Sequence, residues 1–168
     1  GYFAKITEML ETNNGEFTHW QSKRVRGGVG FCDGANGLFQ GMLADTMKNA
    51  YCAISRECYD KTVRVENSEH MTSKYAGGPS PLFGSRPIFL PHDEFVGEHP
   101  ESVAHDAASR VAELMIEAER FMAPQLSKAC VVLPTLMRKL YKAAEPRYAR
   151  GGAKPADEND RLIPWEPS

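Results

Sequence analysis

The sequence lacks most of the features that would assign a class at sight. No run approaches the roughly 18 apolar residues of a membrane span, and no secretory segment opens the chain. Neither an integral membrane protein nor an exported one is therefore expected. The four cysteines, Cys32, Cys52, Cys58 and Cys130, include no Cys-x-x-Cys pair and no neighbouring ligand histidine. That pattern argues against a zinc site or a disulfide framework and makes a reducing cytoplasm the expected location. Net charge is only −2, so there is no global attraction for nucleic acid and any basic surface must be local. No internal repeat is present. What remains is ordinary for a globular chain: 168 residues, 42% hydrophobic and 25% charged. This is enough for one domain with a real core, or for part of a larger one.

Hydrophobic spacing gives the order of elements. Tyr2, Phe3, Ile6, Met9 and Leu10 share one helical face over residues 2–11, and Asn13-Asn14-Gly15 should end that helix. The basic and then glycine-rich stretch from Gln21 to Gly37 reads as strand and loop. A long helix is expected from about Asn36 to Tyr59, with Phe39, Leu43, Met47, Ala50, Ile54 and Cys58 as its buried stripe. Residues 60–84 read as loop, and Ile88, Phe89 and Leu90 as a short strand. A second strand at Phe95-Val96 follows across a polar triplet. Pro100 suits the first turn of a helix over roughly 100–123, with Val103, Ala107, Val111, Leu114, Ala118 and Phe121 inward. KACVVLP (128–134) reads as a strand, and LMRKLYKAA (136–144) as a short helix or extended edge. The tail from about Glu145 reads as a surface strap. The expected class is α/β or α+β, a small antiparallel sheet packed against two long helices.

Three groups of polar residues can carry chemistry. His92, Asp93 and Glu94 fall where two apolar runs meet, an expensive place to bury a carboxylate. They make either a solvated hairpin tip or a sparse site for a divalent cation, since Mg²⁺ is usually held by one or two carboxylates plus substrate phosphates. Asn36 and Gln40 are four apart, so on a helix they project from the same face. Two amides so placed suit a nucleic-acid groove, or else Asn36 is a cap and Gln40 is solvated. Asp45 and Lys48, three apart, suit a surface ion pair. Lys23, Arg24 and Arg26, beside Gly27 and Gly28, form a local basic cluster able to hold phosphates, or an exposed basic turn.

Together these residues carry a resemblance. Asn-x-x-x-Gln-Gly-x-x-Ala-Asp-x-x-Lys-x-Ala over 36–50, followed about forty residues later by His-Asp-Glu between apolar strands, resembles family-A DNA polymerases. The likeness is to the C-terminal part of the palm in the DNA polymerase I type. SKRVRGG, GSRPIFLPHDE, LMRKLYKAAEPRY and DRLIPWEP are similar in particular to bacteriophage members. The resemblance runs from about Gln21 to the end. It implies two segments: residues 1–20 leading out of the fingers, and 21–168 as the C-terminal palm portion. It further implies that Asp93 is the second of two aspartates holding a Mg²⁺ pair, with Glu94 and His92 beside it near the primer 3′ end. Asn36 and Gln40 would face the template–primer minor groove, whose degenerate acceptors let amides test pair shape without reading sequence. Lys23, Arg24 and Arg26 would lie along the duplex backbone. The implied partners are primer–template DNA, deoxynucleoside triphosphates and an N-terminal polymerase portion, in a bacterial or phage-infected cytoplasm.

The chain also departs from the family pattern. Cys32 stands where many relatives carry an arginine one turn before the Asn, and Pro91 replaces an aliphatic residue before the His, removing a strand donor. The strand bearing the first catalytic aspartate and the helix that grips the incoming nucleotide are not found. With Gly1 at a helix start and no initiator Met, the expectation is a fragment or split subunit, inactive alone. Two other readings stand beside it. One is a non-catalytic nucleic-acid-binding module derived from a palm. The other is a metal-dependent hydrolase using Asp93, Glu94, His99 and His105, although those histidines have no ligand spacing.

Overall fold

Tyr2–Thr12 form helix α1, whose single fully buried residue is Ile6. Asn13 closes the helix, and Asn14 (φ 51°) and Gly15 (φ 75°) take left-handed backbone that turns the chain back, as the Asn-Asn-Gly sequence predicts. In this computed structural model the described residues are 1–66, 73–124, 130–138, 140, 148–149 and 152–153. Strands β1 (Phe17–Thr18) and β2 (Val25–Arg26) then pair antiparallel, Phe17 opposite Arg26. This hairpin spans the point at residue 20 where the sequence suggested a division.

Helix α2 runs from Phe31 to Tyr59 and so starts earlier than the expected Asn36. The glycines that read as loop lie inside it, because Gly34, Gly37 and Gly41 are where neighbouring elements reach its backbone. A Cβ on Gly34 would stand 3.0 Å from Leu10 of α1, and one on Gly37 would stand 2.8 Å from the Arg26 guanidinium. Packing here overrides the roughly 1 kcal/mol that each helical glycine costs relative to alanine. The expected stripe is correct only in its second half. Met47, Ala50, Ile54 and Cys58 are buried, whereas Phe39 (58% exposed) and Leu43 (49%) are not. Phe39 instead joins an exposed ring cluster with Tyr2, centroids 5.0 Å apart, while Phe3 meets Phe31 at 5.8 Å.

After α2, the segment around residues 73–85 brings Leu82 into the core with no exposed surface. Strands β3 (Arg86–Phe89) and β4 (Val96–Glu98) form the predicted hairpin, with a bulge where Pro87 pairs with Gly97 and Phe89 with Val96. A tight turn at Glu101–Val103 leads into α3, Ala104–Met122. Ala107, Val111, Leu114 and Ala118 face inward as predicted, but Phe121 is 58% exposed and Met122 takes the buried place. Ile54, Cys58, Leu82, Ala107, Val111 and Leu114 make one core cluster, with Phe95 and Met115 packed against it. Each fully buried aliphatic side chain there contributes about 1.5–3 kcal/mol.

A charged network sits within that core. Arg110 is 3% exposed and donates to both oxygens of Glu57, from Nη2 to Oε1 at 2.7 Å and from Nε to Oε2 at 3.1 Å. Ser80 donates its hydroxyl to the same carboxylate at 2.6 Å, which ties the 73–85 segment to α2 and α3.

The expected strand at 128–134 is not formed over its described residues, 130–134. There the Cys130 N–H donates to the Glu119 carboxylate at 2.9 Å instead of to a strand. Residues 136–138 are not helical, and most of 139–147 lies outside the described residues. Of the tail read as a strap, β5 (Tyr148–Ala149) and β6 (Gly152–Ala153) are described, as an antiparallel pair, and the rest is not. Over the described residues the class is mixed α+β, three α-helices with two-stranded antiparallel ladders. Among the described residues no helix is long and apolar enough to cross a membrane.

Candidate nucleic-acid interface

The β3–β4 hairpin is fixed at its base and exposed at its tip. Gly84 N–H donates to the Cys58 carbonyl at 3.0 Å, and Ser85 and His99 Nδ1 close the two strand ends at 2.9 Å. Further along, the Phe95 ring meets Tyr51 of α2, centroids 6.3 Å apart. Cys58 lies seven positions after Tyr51 in α2, two helical turns, so the hairpin rises from the C-terminal end of α2 toward its N-terminal half. Its turn, Pro91–Glu94, is closed by Glu94 N–H donating to the Pro91 carbonyl at 2.9 Å. His92 has φ 51°, left-handed backbone that costs a non-glycine residue about 1–2 kcal/mol. His92, Asp93 and Glu94 are all exposed, so the penalty of burying such polar groups is avoided.

Asn36 and Gln40 are exposed on α2. Spacings of seven, four, three and four carry the same face on from Gln40 through Met47, Tyr51, Ile54 and Cys58, so Asn36 and Gln40 lie on the face that farther along carries the core. Together with Phe39 and Leu43 they form its exposed extension, in the half of α2 toward which the hairpin runs from Cys58 to Tyr51.

The basic cluster occupies a different flank. Arg24 Nη2 lies 3.3 Å from Asp45 Oδ2, and the Ser22 hydroxyl donates to the same oxygen at 2.7 Å. Asp45 therefore serves the β1–β2 hairpin, and the Asp45–Lys48 pair suggested by spacing is replaced. Arg26 lies against Gly37, and only Lys23, with φ 58°, extends clear of α2 among the three. His19 is buried against Gly41, where any Cβ would overlap its ring. Burial first, and then the charge of Arg24, lowers its pKa, so it packs as a neutral ring. Nothing in local spacing marked His19, because its partners come from other elements.

Asn36 and Gln40 thus share one face of α2, and Arg24 and Arg26 lie around the helix from them, against Gly41, Asp45 and Gly37. The structure also separates the members of the hydrolase alternative. His99 is held at the hairpin base by Ser85, at the opposite end from Asp93. Among the described residues, no three His, Cys, Asp or Glu side chains gather where a cation could be held by protein alone. Set against protein-family models, curated proteins and solved structures, the chain matches none of them.

Proposed function

We propose that this chain is the C-terminal palm portion of a template-directed DNA polymerase of the family-A type. The observation that supports the reading is the direction of the β3–β4 hairpin. Its base at Cys58 and the Phe95–Tyr51 contact carry the exposed His92-Asp93-Glu94 turn along α2 toward the half that bears Asn36 and Gln40. A duplex lying over that face would present minor-groove acceptors to both amides while its primer end approached the turn.

Asp93 and Glu94 suit Mg²⁺. They are adjacent, solvent-exposed and acceptor-only, and this ion needs no more than one or two carboxylates when phosphates and a second chain segment supply the rest. Bound there, Mg²⁺ would lower the pKa of a primer 3′-hydroxyl and offset charge on the phosphate under attack. Asp93 would be its ligand. His92, turned out by its left-handed backbone, would contact sugar or phosphate near the primer terminus. Asn36 and Gln40 would position the newest base pairs by donating to acceptors that every correct pair offers at about the same place.

The test is primer extension by this chain supplied with an N-terminal polymerase portion. Asp93→Asn should nearly abolish extension with duplex affinity almost unchanged. Gln40→Ala should weaken extension from matched ends more than from mismatched ends, where the acceptor is already displaced. Wild-type turnover in Asp93→Asn would remove the metal assignment. Binding of duplex without extension under any complementation would leave a non-catalytic nucleic-acid-binding module instead.

A further inference from the structure

A cleft of about 520 Å³ opens between α2, the end of α3 and the β1–β2 connection. Lys48, Asn49 and Arg56 of α2 line it, together with the apolar groups of Ala53, Phe121 and Met122. By helical spacing Arg56 lies about 160° around α2 from Gln40 and Lys48 about 80°, so this surface flanks the one proposed to hold a duplex and is centred on other residues.

Charge in the cleft is unbalanced. Lys48 and Arg56 lie two turns apart, about 12 Å along the axis, and neither forms an ion pair with a described residue. The carboxylate that lines the cleft, Asp45, is engaged by Arg24 and Ser22. Asp60, outside the cleft lining, accepts from the Thr62 hydroxyl at 2.6 Å, and that bond, with the more distant charge of Arg56, lowers its pKa. Two aromatic faces flank the cations. Phe121 is 58% exposed and Trp20 is 54% exposed. The indole Nε1–H donates to the Met122 carbonyl at 3.5 Å, which holds the Trp20 ring at the edge of the cleft.

Exposed rings beside exposed cations are what a single-stranded nucleic acid needs: bases stack on the rings and the backbone follows the charges. A duplex keeps its base faces stacked internally and would leave both rings unpartnered. A lone phosphate cannot reach both cations across about 12 Å, whereas successive phosphates of one strand can. We infer that this cleft binds a single strand of nucleic acid, its bases on Phe121 and Trp20 and its phosphates on Lys48 and Arg56. Asn49, with both donors and an acceptor, is placed to bond a base edge. This inference does not depend on the polymerase reading, since none of these residues belongs to that surface.

The experiment is fluorescence anisotropy of a labelled oligothymidylate titrated with the full chain over a range of salt. The double variant Lys48→Ala/Arg56→Ala should weaken binding about tenfold or more and flatten the logarithmic salt slope by about 1.4, near 0.7 per lost phosphate contact. Phe121→Ala should weaken binding several-fold with the slope unchanged, because stacking carries no counterion release. In a Trp165→Phe background, Trp20 emission should be quenched as the strand binds. Lys5→Ala, the loss of one cation on α1, should leave the affinity unaltered. The inference is overturned if the double variant binds as tightly as the parent, if Lys5→Ala weakens binding as much, or if thymidine monophosphate binds as tightly as the oligomer.

Discussion

Between Met47 and Cys58, α2 buries side chains under α3 and beside the β3–β4 hairpin, whereas between Gly34 and Gly41 every buried residue is a glycine. One helix thus uses two modes of packing. In the C-terminal half, volume is filled by Ile54, Leu82 and Leu114, and a buried ion pair is threaded through the contact. In the N-terminal half the helix supplies only a surface, and Leu10, Arg26 and His19 bring their side chains to it. The first mode is sensitive to loss of atoms and the second to gain of them. The glycine face also frees the opposite side of the same turns, where Asn36, Phe39, Gln40 and Leu43 remain exposed.

The sharpest way to break the C-terminal mode is Arg110→Met. It strands the Glu57 carboxylate, 5% exposed, without its bidentate partner, and should cost about 3–5 kcal/mol in urea unfolding. Adding Glu57→Leu should recover most of that loss, because the unpaired charge rather than the missing contact dominates. A single-variant loss below about 1 kcal/mol would mean that the carboxylate is hydrated in solution.

Next comes the contrast along one stripe. Ile54→Ala should cost about 2–5 kcal/mol, while Leu43→Ala, eleven positions earlier on the same face, should stay within about 0.5 kcal/mol. Equal losses would show that the N-terminal half is covered by something in solution.

The glycine mode predicts a smaller loss of opposite origin. Gly41→Ala should destabilise by about 1–3 kcal/mol through overlap with the His19 ring and Arg24, despite alanine's better helix propensity. Net stabilisation would sink the close-approach account, and thermal melting of the two proteins decides it.

The smallest effect is on pH. Burial lowers the pKa of His99, and burial with the charge of Arg24 lowers that of His19. Both groups bind protons more readily when unfolded. Their contribution is therefore complete above the unfolded value near 6.5 and is lost as pH falls through the lower folded values. Tm should drop from pH 7.5 toward pH 5, and less steeply in His99→Gln. An unchanged slope would remove His99 from the account.

Much of this architecture is legible in the sequence because the signals are local. Asn13-Asn14-Gly15 names a helix end, apolar spacing names α3, and polar residues between short apolar runs name the β3–β4 hairpin. The early start of α2 was hidden because glycine costs helical stability, and only contacts from residues 6–26 repay that cost. For the same reason Phe39 and Leu43 read as core: spacing gives the face of a helix and not how far along it the cover extends. The partner of Asp45 is Arg24, far off in sequence and across a hairpin, while the nearer Lys48 goes to the cleft. The triplet at 92–94 was visible as a candidate because its polarity conflicts with its neighbours. The cleft was not, since it is assembled from three segments whose residues are individually unremarkable.

The bulge in the β3–β4 hairpin has a further consequence, for self-association. A two-stranded ladder leaves both outer edges able to template another strand, and here Ile88 (49% exposed) and Phe89 (42%) make β3 adhesive. Pro87 removes one donor from that strand, and the register shift between Pro87 and Phe89 disturbs the regular spacing that an incoming chain would need. The hairpin can therefore carry apolar residues out beyond the core without becoming the seam along which copies of the molecule zip together.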